Sequence, residues 1–316
     1  MNKIILVGTG LMAEAYSKVL SEIAIPFEVV GRGWESANRF FENTNIQPHI
    51  GGIENYLLQN NITNCSAIVA TGTEALMPTL KTLLFAGADR ILIEKPASLS
   101  IDELLENEAI LNKWGDTVFV AYNRRFYSSV IKVLELIELD GGLQSMHFEF
   151  TEWSSKIGLL NKAEGVKENW FFANSTHVID LAFFIAGLPE KWSSYSKSGT
   201  LPWHKKSIFS GAGITKKNVF FSYNSNWESP GRWAIELMTQ KHRFYLKPLE
   251  DIKIQELNST VVNDLNFDNL IDLRFKPGVF EQVKLFLAGS KKLLTLKSHI
   301  NISKSVYRKI LEGQTI

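Results

Sequence analysis

Early in the chain, a short apolar run gives way to a glycine-rich loop and then to a helix-like segment. The loop reads Val7-Gly8-Thr9-Gly10-Leu11-Met12-Ala13. It matches the pattern G-x-G-x-x-G/A, with Ala13 in the third small position. In such loops the first glycine, here Gly8, permits a tight turn. The second, Gly10, lets the backbone approach a pyrophosphate, and Ala13 lets the helix pack on the strand.

The segments around this loop have the order that the motif requires. The strand-like run Ile4–Val7 precedes the loop, and a second one, Phe27–Val30, follows the helix-like segment. Free N–H groups at the helix start, around Leu11 and Met12, are placed to receive an anion. The loop therefore predicts a Rossmann-type domain that holds NAD(H) or NADP(H). The alternative is a glycine turn in an α/β fold that binds another ligand.

The first third of the chain alternates between short apolar runs and amphipathic stretches, which is typical of a parallel sheet with helices on both faces. The predicted strands are Ile4–Val7, Phe27–Val30, Ala67–Ala70, Ile91–Ile93 and Val118–Ala121. The predicted helices are Leu11–Ile23, Ser36–Phe41, Ile53–Asn60, Ala75–Ala86 and Ile101–Trp114.

After about residue 125 the pattern changes to consecutive strand-like runs, which favour a mostly antiparallel sheet. These runs are Gln144–Glu152, Lys191–Ser198, Ser207–Ser210, Asn218–Asn226, Trp233–Thr239 and His242–Pro248. Helices are predicted at Ser128–Leu139, Asn174–Ala186, Val279–Ala288 and Ile302–Gly313. The fold class is therefore α/β. A doubly wound Rossmann domain over residues 1–121 precedes an α+β domain with an open, mostly antiparallel sheet over residues 122–316.

Composition excludes several classes of function. The net charge is +1, so the chain lacks the basic surplus of a protein that binds nucleic acid or an anionic membrane. The one cysteine, Cys65, cannot form an internal disulfide, and the N-terminus lacks the apolar run of a secretory signal. We therefore expect a cytoplasmic protein. No stretch approaches the roughly 20 apolar residues of a membrane helix.

The end of the second predicted strand bears on the choice of cofactor. An acidic residue there would bind the ribose 2′-hydroxyl of NAD, but the sequence places Arg32 near the expected offset. An arginine can pair with a 2′-phosphate, and Ser36 can add a hydroxyl donor. These residues favour NADP(H) over NAD(H). The alternative is that Arg32 is a solvated cation and that Glu35 binds the ribose.

A lysine follows the fourth predicted strand, at the edge where ligands bind in doubly wound folds. The segment reads Glu94-Lys95-Pro96. Lys95 could orient a substrate hydroxyl or relay its proton, and Pro96 would fix the turn. We also assign Glu94 and Lys95 to cofactor binding, because this edge of the sheet faces the ligand. The alternative is that Glu94 and Lys95 form a surface ion pair.

Several motifs resemble those of the glucose–fructose oxidoreductase/inositol dehydrogenase family, and they follow one another along the chain in the family's order. Besides the glycine loop and Glu94-Lys95-Pro96, they are Ala67-Ile68-Val69-Ala70-Thr71, Ala86-Gly87, Tyr122-Asn123-Arg124-Arg125-Phe126, His177-Val178-Ile179-Asp180-Leu181 and Asn226-Trp227-Glu228-Ser229-Pro230-Gly231. The resemblance spans nearly the whole chain.

The resemblance implies an oxidoreductase that moves a hydride to or from a carbon of a sugar or nucleotide sugar. The biosynthesis of surface polysaccharides is a candidate pathway for such a reaction. Lys95 matches the family lysine near the reacting hydroxyl, and His177 matches the histidine of proton transfer or substrate positioning. Asn123 and Arg124 match a segment that lines the site, and Thr71 begins a loop on the nicotinamide side. The exposed sheet face implies a homo-oligomer.

Two departures from the family pattern bear on the chemistry. The family places an aspartate four residues before the histidine, where this chain has Ala173. Alanine carries no proton, so Asn174 or Ser175 supplies a weaker contact, or Lys95 and His177 act without the acid, or the reaction has changed. In addition, Gly72 and Leu76 replace the proline and histidine of the family's Thr-Pro-Asn-x-x-His segment.

His177 also has a structural alternative, because a lone histidine on an apolar helix is more often a satisfied core residue. We interpret Asp180, three residues on, as structural. The histidines show no metal-ligand spacing, and we predict no metal site.

A long aromatic segment, Trp153–Trp170, leads into the predicted His177 helix. Long loops are often functional, so its rings are candidates for stacking on a sugar or base while lysines meet a phosphate or carboxylate. Lys167 and Trp170 are the residues that we assign to such contacts. The alternative is a surface loop with aromatic anchors.

Three functional hypotheses follow from the sequence. The first is net hydride transfer between a nicotinamide and a sugar carbon. The second keeps the fold and a bound nicotinamide but gives a glycosidase, epimerase or lyase outcome. The third is a nucleotide-binding regulatory protein with impaired catalysis, which the alanine at position 173 makes plausible. Apolar alternation at Val219-Phe220-Phe221 favours a dimer or higher oligomer.

Overall fold

The structure, a computed structural model, describes residues 3–314. These residues form two compact units. The first unit contains the described residues up to Asn123 together with Leu273–Asn301, and the second contains Arg124–Asp272 together with the described residues from Ile302 onward. From the sequence we assigned every residue after 121 to the second domain. Segment 273–301 instead packs with the first unit, to which it supplies a helix, an edge strand and most of a second helix.

The strands of the described residues form two sheets. They are β1 (Ile4–Val7), β2 (Phe27–Val30), β3 (Ser66–Val69), β4 (Arg90–Glu94), β5 (Val118–Ala121), β6 (Ser145–Glu149), β7 (Pro189–Lys197), β8 (Ile208–Thr215), β9 (Phe220–Asn226), β10 (Ala234–Met238), β11 (His242–Leu246), β12 (Lys253–Glu256), β13 (Val262–Asp264) and β14 (Leu294–Thr295).

The α-helices flank these strands. They are α1 (Leu11–Glu22), α2 (Trp34–Thr44), α3 (Gly52–Leu57), α4 (Leu76–Phe85), α5 (Ile101–Glu106), α6 (Glu108–Leu111), α7 (Ser128–Leu139), α8 (Ser154–Gly158), α9 (Thr176–Ala186), α10 (Leu270–Arg274), α11 (Val279–Leu287), α12 (Leu296–Ile302) and α13 (Arg308–Glu312). Turns of π-helix at Phe171–Ser175 and Ser303–Tyr307 precede α9 and α13.

The first unit is built on a six-stranded sheet with the order β14-β5-β4-β3-β1-β2. Its first five strands along the chain are parallel, and β14 pairs antiparallel with β5 at the edge. The strands β1 and β5 are buried along their whole length because helices cover them. The chain leaves β1 for β2 on one side and returns to β3 on the other. The carboxyl ends of β1 and β3 therefore form the switch point at which such sheets bind ligands.

The second unit is built on an eight-stranded sheet with the order β13-β12-β11-β10-β6-β9-β8-β7. Its neighbouring strands run antiparallel except for the parallel pair β6 and β9. Aromatic side chains fill the space between this sheet and α9. Phe148 stacks on Tyr223 and meets Phe183 edge to face. The predicted fold class, a doubly wound parallel sheet followed by a mostly antiparallel one, is confirmed.

Candidate functional site

A cavity of about 470 Å³ opens at the carboxyl ends of β1, β2 and β3 in the first unit. Six of the residues that we assigned to cofactor binding line it: Gly8, Gly10, Leu11, Met12, Arg32 and Thr71. The sequence separates these residues by up to 63 positions, and the parallel register brings them together because matching strand ends meet at one edge of the sheet.

The two loop glycines differ in their backbone conformation and in the space around their Cα atoms. Gly8 has φ +128°, and a Cβ atom there would lie 2.3 Å from the carbonyl oxygen of Ala70. The fold itself therefore requires glycine at this position. Gly10 has φ −95°, which any residue adopts, and a Cβ atom there would meet nothing within 4 Å. The space beside Gly10 is thus open, as close approach of a pyrophosphate requires.

The electrostatics of the cavity favour a phosphate-bearing ligand. Helix α1 begins directly after Gly10, and no side chain caps its N-terminus. Its first N–H groups and the positive end of its dipole are therefore available to an anion. The exposed cations Arg32 and Arg39 line the cavity near the end of β2, and Ser36 lines it between them. The carboxylates of Glu54 and Glu74 also line it, whereas the lining does not include Glu35.

Arg39 was missed in the sequence analysis. Its position three residues after Ser36 puts both side chains on one face of α2, and this spacing is the signal that was present. The Ser36 hydroxyl is held in place, because it accepts a hydrogen bond from Thr9 Oγ1 at 3.0 Å and donates one to the Gly33 carbonyl at 3.2 Å.

The two remaining residues assigned to the cofactor, Glu94 and Lys95, do not line this cavity. Glu94 is buried at the end of β4 and accepts a 2.6 Å hydrogen bond from the Tyr16 hydroxyl. Burial and the Glu94 charge raise the pKa of Tyr16 well above its ordinary value. Lys95 is half-buried directly after the strand, and the carbonyl of Pro96 is 2.9 Å from His299 Nε2. The Glu94 carboxylate is thus buried against α1 rather than exposed at the surface.

In the second unit, His177 is the second residue of α9 and is 6% exposed. The π-helical turn Phe171–Ser175 precedes it, so the predicted helix Asn174–Ala186 is regular only from Thr176 onward. The His177 ring lies 5.9 Å from the ring of Trp233. Turns of π-helix are frequent at functional sites because they shift the side chains of one turn relative to the next.

Ala173 lies buried in this π-helical turn, and a carboxylate is nonetheless present nearby. Glu152, just after β6, accepts hydrogen bonds from Asn174 Nδ2 at 3.0 and 3.1 Å and from Ser175 Oγ at 2.8 Å. It also accepts one from Arg232 at 3.2 Å. Burial raises the pKa of Glu152, and these donors offset that effect only in part.

Glu152 was missed in the sequence analysis, and no local spacing marks it. Its partners Asn174 and Arg232 are 22 and 80 residues away along the chain.

The arginines after β5 differ in their surroundings. Arg125 and Asp180 form a buried bidentate pair, with Nε and Nη2 donating at 2.7 and 2.5 Å. This contact supports the structural interpretation of Asp180. The guanidinium of Arg124 lies over the rings of Trp233 and Tyr127, at 4.7 and 5.9 Å.

Three other residues that we assigned to the substrate are engaged in packing or structural hydrogen bonds. In the first unit, Asn123 Nδ2 donates to the Pro277 carbonyl at 2.9 Å. In the second, Lys167 Nζ donates to the Gly158 carbonyl at 3.2 Å. The Trp170 ring meets Trp203 edge to face at 6.4 Å. The structure thus gives each of them a structural role, and contact with a substrate stays a prediction.

Among residues 3–314, no helix has both the length and the apolar character needed to cross a membrane. Within the same range no group of three or more His, Cys, Asp and Glu side chains is arranged to hold a metal ion.

Comparison with known proteins places the fold. No family model matches the sequence, and no curated protein matches it. Solved structures do match over nearly the whole chain. One is a UDP-N-acetylglucosamine 3-dehydrogenase from Acidithiobacillus ferrooxidans, with TM-score 0.71, 11% identity and coverage of 98% of this chain and 97% of that one.

A second match is a 3-ketoreductase from Actinomadura kijaniata, solved with TDP-benzene and NADP. It has TM-score 0.72 and 13% identity, covering 100% of this chain and 98% of that one. A third is a dehydrogenase from Chromobacterium violaceum, solved with NADH and UDP-GlcNAcA. It has TM-score 0.70 and 14% identity, covering 98% of this chain and 92% of that one. At the level of the fold, the resemblance to the glucose–fructose oxidoreductase/inositol dehydrogenase family is confirmed.

Proposed function

We propose that the chain is a nicotinamide-dependent oxidoreductase that acts on a CH–OH carbon of a sugar or nucleotide sugar. The observation that carries this proposal is the cavity at the switch point, where the glycine loop, an uncapped helix start and two arginines converge. The similar folds of enzymes described as acting on UDP-N-acetylglucosamine or as ketoreductases support the substrate class.

The residues of the cavity fit a dinucleotide. Gly10 would admit the pyrophosphate against the first N–H groups of α1, including those of Leu11 and Met12, and Thr71 would border the nicotinamide half. A bound nicotinamide supplies hydride acceptance or donation. The protein's own contribution is to hold and orient this group, because hydride transfer requires close approach of two carbons.

We further propose that NADP(H) is preferred over NAD(H). Arg32 and Arg39 line the cavity beyond β2, where an acidic residue would be needed to bind a ribose 2′-hydroxyl. Guanidinium groups pair well with a phosphate monoester. The double variant Arg32→Ala/Arg39→Ala should weaken NADPH binding by about tenfold or more and change NADH binding little.

Titration calorimetry with both nucleotides measures this preference. Lys113→Ala removes an exposed cation of the same unit that does not line the cavity, so it is the matched control. Tighter binding of NADH than of NADPH by the unmodified protein would contradict the assignment of Arg32.

For the proton of the substrate hydroxyl, we propose Lys95 and His177. Lys95 follows β4 at the ligand-binding edge of the first sheet. His177 begins α9 after the π-helical turn. Lysine and histidine can both exchange a proton with a hydroxyl near neutral pH when their surroundings adjust their pKa. We expect Lys95→Ala to lower kcat by about 10²–10⁴ while NADPH binding is retained.

A panel of sugars and nucleotide sugars, followed at the absorbance of reduced nicotinamide, tests the reaction. A net change in absorbance supports hydride transfer. Turnover without net change identifies the glycosidase, epimerase or lyase outcome. Cofactor binding without turnover on any sugar identifies a regulatory protein. Lys113→Ala serves again as the control for Lys95→Ala, and full activity of Lys95→Ala rules out the role proposed for this lysine.

We also propose a homo-oligomer that forms through the outer face of the second sheet. Along β9, Phe221 is buried whereas Phe220 is 64% exposed, so one large apolar ring points outward from this sheet. Sedimentation of the full chain, compared with that of Phe220→Ser, measures the association. A monomer at all concentrations excludes it.

A further inference from the structure

In the second unit, cations and aromatic rings alternate in a continuous row. The row, which we call the cation–aromatic row, consists of Lys156, Trp153, Arg232, Trp233 and Arg124. Lys156 Nζ lies 4.4 Å from the centre of the Trp153 ring, and the Arg232 guanidinium lies 4.5 Å from the same ring. Arg232 also lies 4.3 Å from the Trp233 ring, over which Arg124 lies at 4.7 Å.

The row brings three cations, Lys156, Arg232 and Arg124, close together. Glu152 lies beside Arg232, and Glu250 acts on Arg124. Burial lowers the pKa of Arg124, and the charge of Arg232 lowers it further. The Nε atom of Arg124 is buried and has no hydrogen-bond partner among the described residues. An added negative charge would therefore stabilise this arrangement.

Arg232 is the member best placed to receive that charge. Its Nη1 donates to the buried Glu152 carboxylate at 3.2 Å, and two indole rings hold its guanidinium. The side chain is nevertheless 38% exposed, and within the described residues it forms no other hydrogen bond. A guanidinium that is fixed on one edge and open on another is pre-organised to bind an oxyanion with two parallel hydrogen bonds.

The row also lies next to a proposed catalytic group. The Trp233 ring, between the two arginines, is 5.9 Å from the ring of His177. We infer that the cation–aromatic row, through Arg232, binds an anionic oxygen group of the substrate, either a sugar carboxylate or a phosphate. This inference rests on the proposed function for the role of His177. The binding of the anion itself is independent of that role.

Calorimetry with matched pairs of probes tests the inference on the full chain in saturating NADPH. The pairs are glucuronate against glucose, glucose 6-phosphate against glucose, and UDP against uridine. We expect at least one anionic probe to bind about tenfold or more tightly than its neutral partner. The first pair reports a carboxylate, and the other two report a phosphate.

Arg232→Gln should abolish this preference, and Arg232→Lys should restore part of it because charge returns without the planar fork. Arg243→Gln is the matched control, since Arg243 also pairs with a glutamate and lies over a ring, that of Tyr245, elsewhere on the same sheet. The melting temperature of each variant shows whether it folds. If Arg232→Gln does not fold, the comparison rests on Arg232→Lys.

Equal binding within every pair, or an unchanged preference in the Arg232 variants, would overturn the inference. Turnover of neutral sugars without any anion preference would overturn the inference and leave the proposed function in place. Anion binding that depends on Arg232, without turnover of any sugar, would support the inference while the proposed function fails.

Discussion

At the scale of single residues, the fold requires glycine at position 8, whereas the proposed ligand requires it at position 10. Gly8→Ala should lower the free energy of unfolding by about 1–3 kcal/mol, because its positive φ and the Ala70 carbonyl leave no room for a Cβ atom. Gly10→Ala should leave it within about 0.5 kcal/mol of the parent. It should nevertheless weaken NADPH binding by about tenfold or more, because the new methyl group occupies open space beside the helix start.

Urea unfolding and calorimetry on the same two variants measure both quantities, and each variant is the control for the other. Loss of stability in Gly10→Ala, or tight NADPH binding by it, would contradict the division of roles between the two glycines.

His204 gives the second unit a dependence of stability on pH. Its ring is buried against Trp203 and Trp227, with centroid distances of 6.0 and 4.7 Å. Burial lowers the pKa of His204 below its ordinary value of 6.5, and a backbone hydrogen bond with Lys206 and the charge of Glu168 offset this only in part. Below pH 6.5 the unfolded chain therefore binds more protons than the folded one. The free energy of unfolding then rises with pH through that window.

His204→Gln removes this titration. As the pH falls from about 7.5 to about 5, we expect the parent protein to lose stability relative to the variant, because only the parent must keep a neutral imidazole buried. Urea titrations at several pH values measure the difference. A difference that stays constant, or that changes in favour of the parent at low pH, would contradict this explanation.

The sequence marks a site residue when its signal is local. The glycine loop and Arg32 stand at fixed offsets from a strand, and the structure puts them around one cavity. Glu152 and Arg232 carry no such signal, since 80 residues separate them and only the pairing of β6 with β10 brings their segments side by side. Contacts of this kind depend on which strands pair, and the pairing of β6 with β10 joins segments that lie far apart along the chain.

At the scale of elements, the buried pair of Arg125 and Asp180 ties α9 to the segment that follows β5. The pair is bidentate, and the Tyr307 hydroxyl lies 3.3 Å from Asp180 Oδ1. Asp180→Asn should lower the free energy of unfolding by about 3–5 kcal/mol, because it leaves the buried guanidinium without its carboxylate.

The control is Glu135→Gln, which removes an exposed i,i+3 partner of Lys132 on α7 and should change stability by less than about 0.5 kcal/mol. Thermal or urea unfolding measures both variants. Equal effects of the two substitutions would show that the buried pair does not hold α9.

Strong periodicity predicted whole elements well. Helix α7 has the predicted bounds, Ser128–Leu139, and α11 ends one residue before its predicted end. The stretch Ile101–Trp114 instead breaks at Asn107 into α5, α6 and a 3₁₀ turn. The strand β14 has only two residues, which is too short to show an alternating hydrophobic pattern. Its pairing with β5 therefore defines it in the structure but could not be predicted from the sequence.

At the scale of the molecule, the first unit is completed by a distant part of the chain. Helix α11 packs on α1, with Gln282 buried near Tyr16. Arg90 donates to the Phe286 carbonyl at 2.7 Å, and β14 covers the free edge of β5. Without segment 273–301, the fragment 1–123 would expose a sheet edge and apolar helix surface.

We therefore expect fragment 1–123 to be unstable or aggregated. The same fragment joined to residues 273–301 by a short Gly/Ser linker should unfold cooperatively, and NADPH should raise its melting temperature. Circular dichroism and calorimetry compare the two proteins. A fragment 1–123 as stable as the joined one would show that segment 273–301 is dispensable for the first unit.

The division of the chain into units also sets an order of events on the ribosome. About 150 residues of the second unit are translated between the two parts of the first, which takes about 8–30 s at ordinary elongation rates of about 5–20 residues per second. During this interval the glycine loop and its strands have already emerged, but the helix and edge strand that complete their sheet have not. The nascent first unit must wait, with β5 as an open edge, until the second unit is almost entirely made.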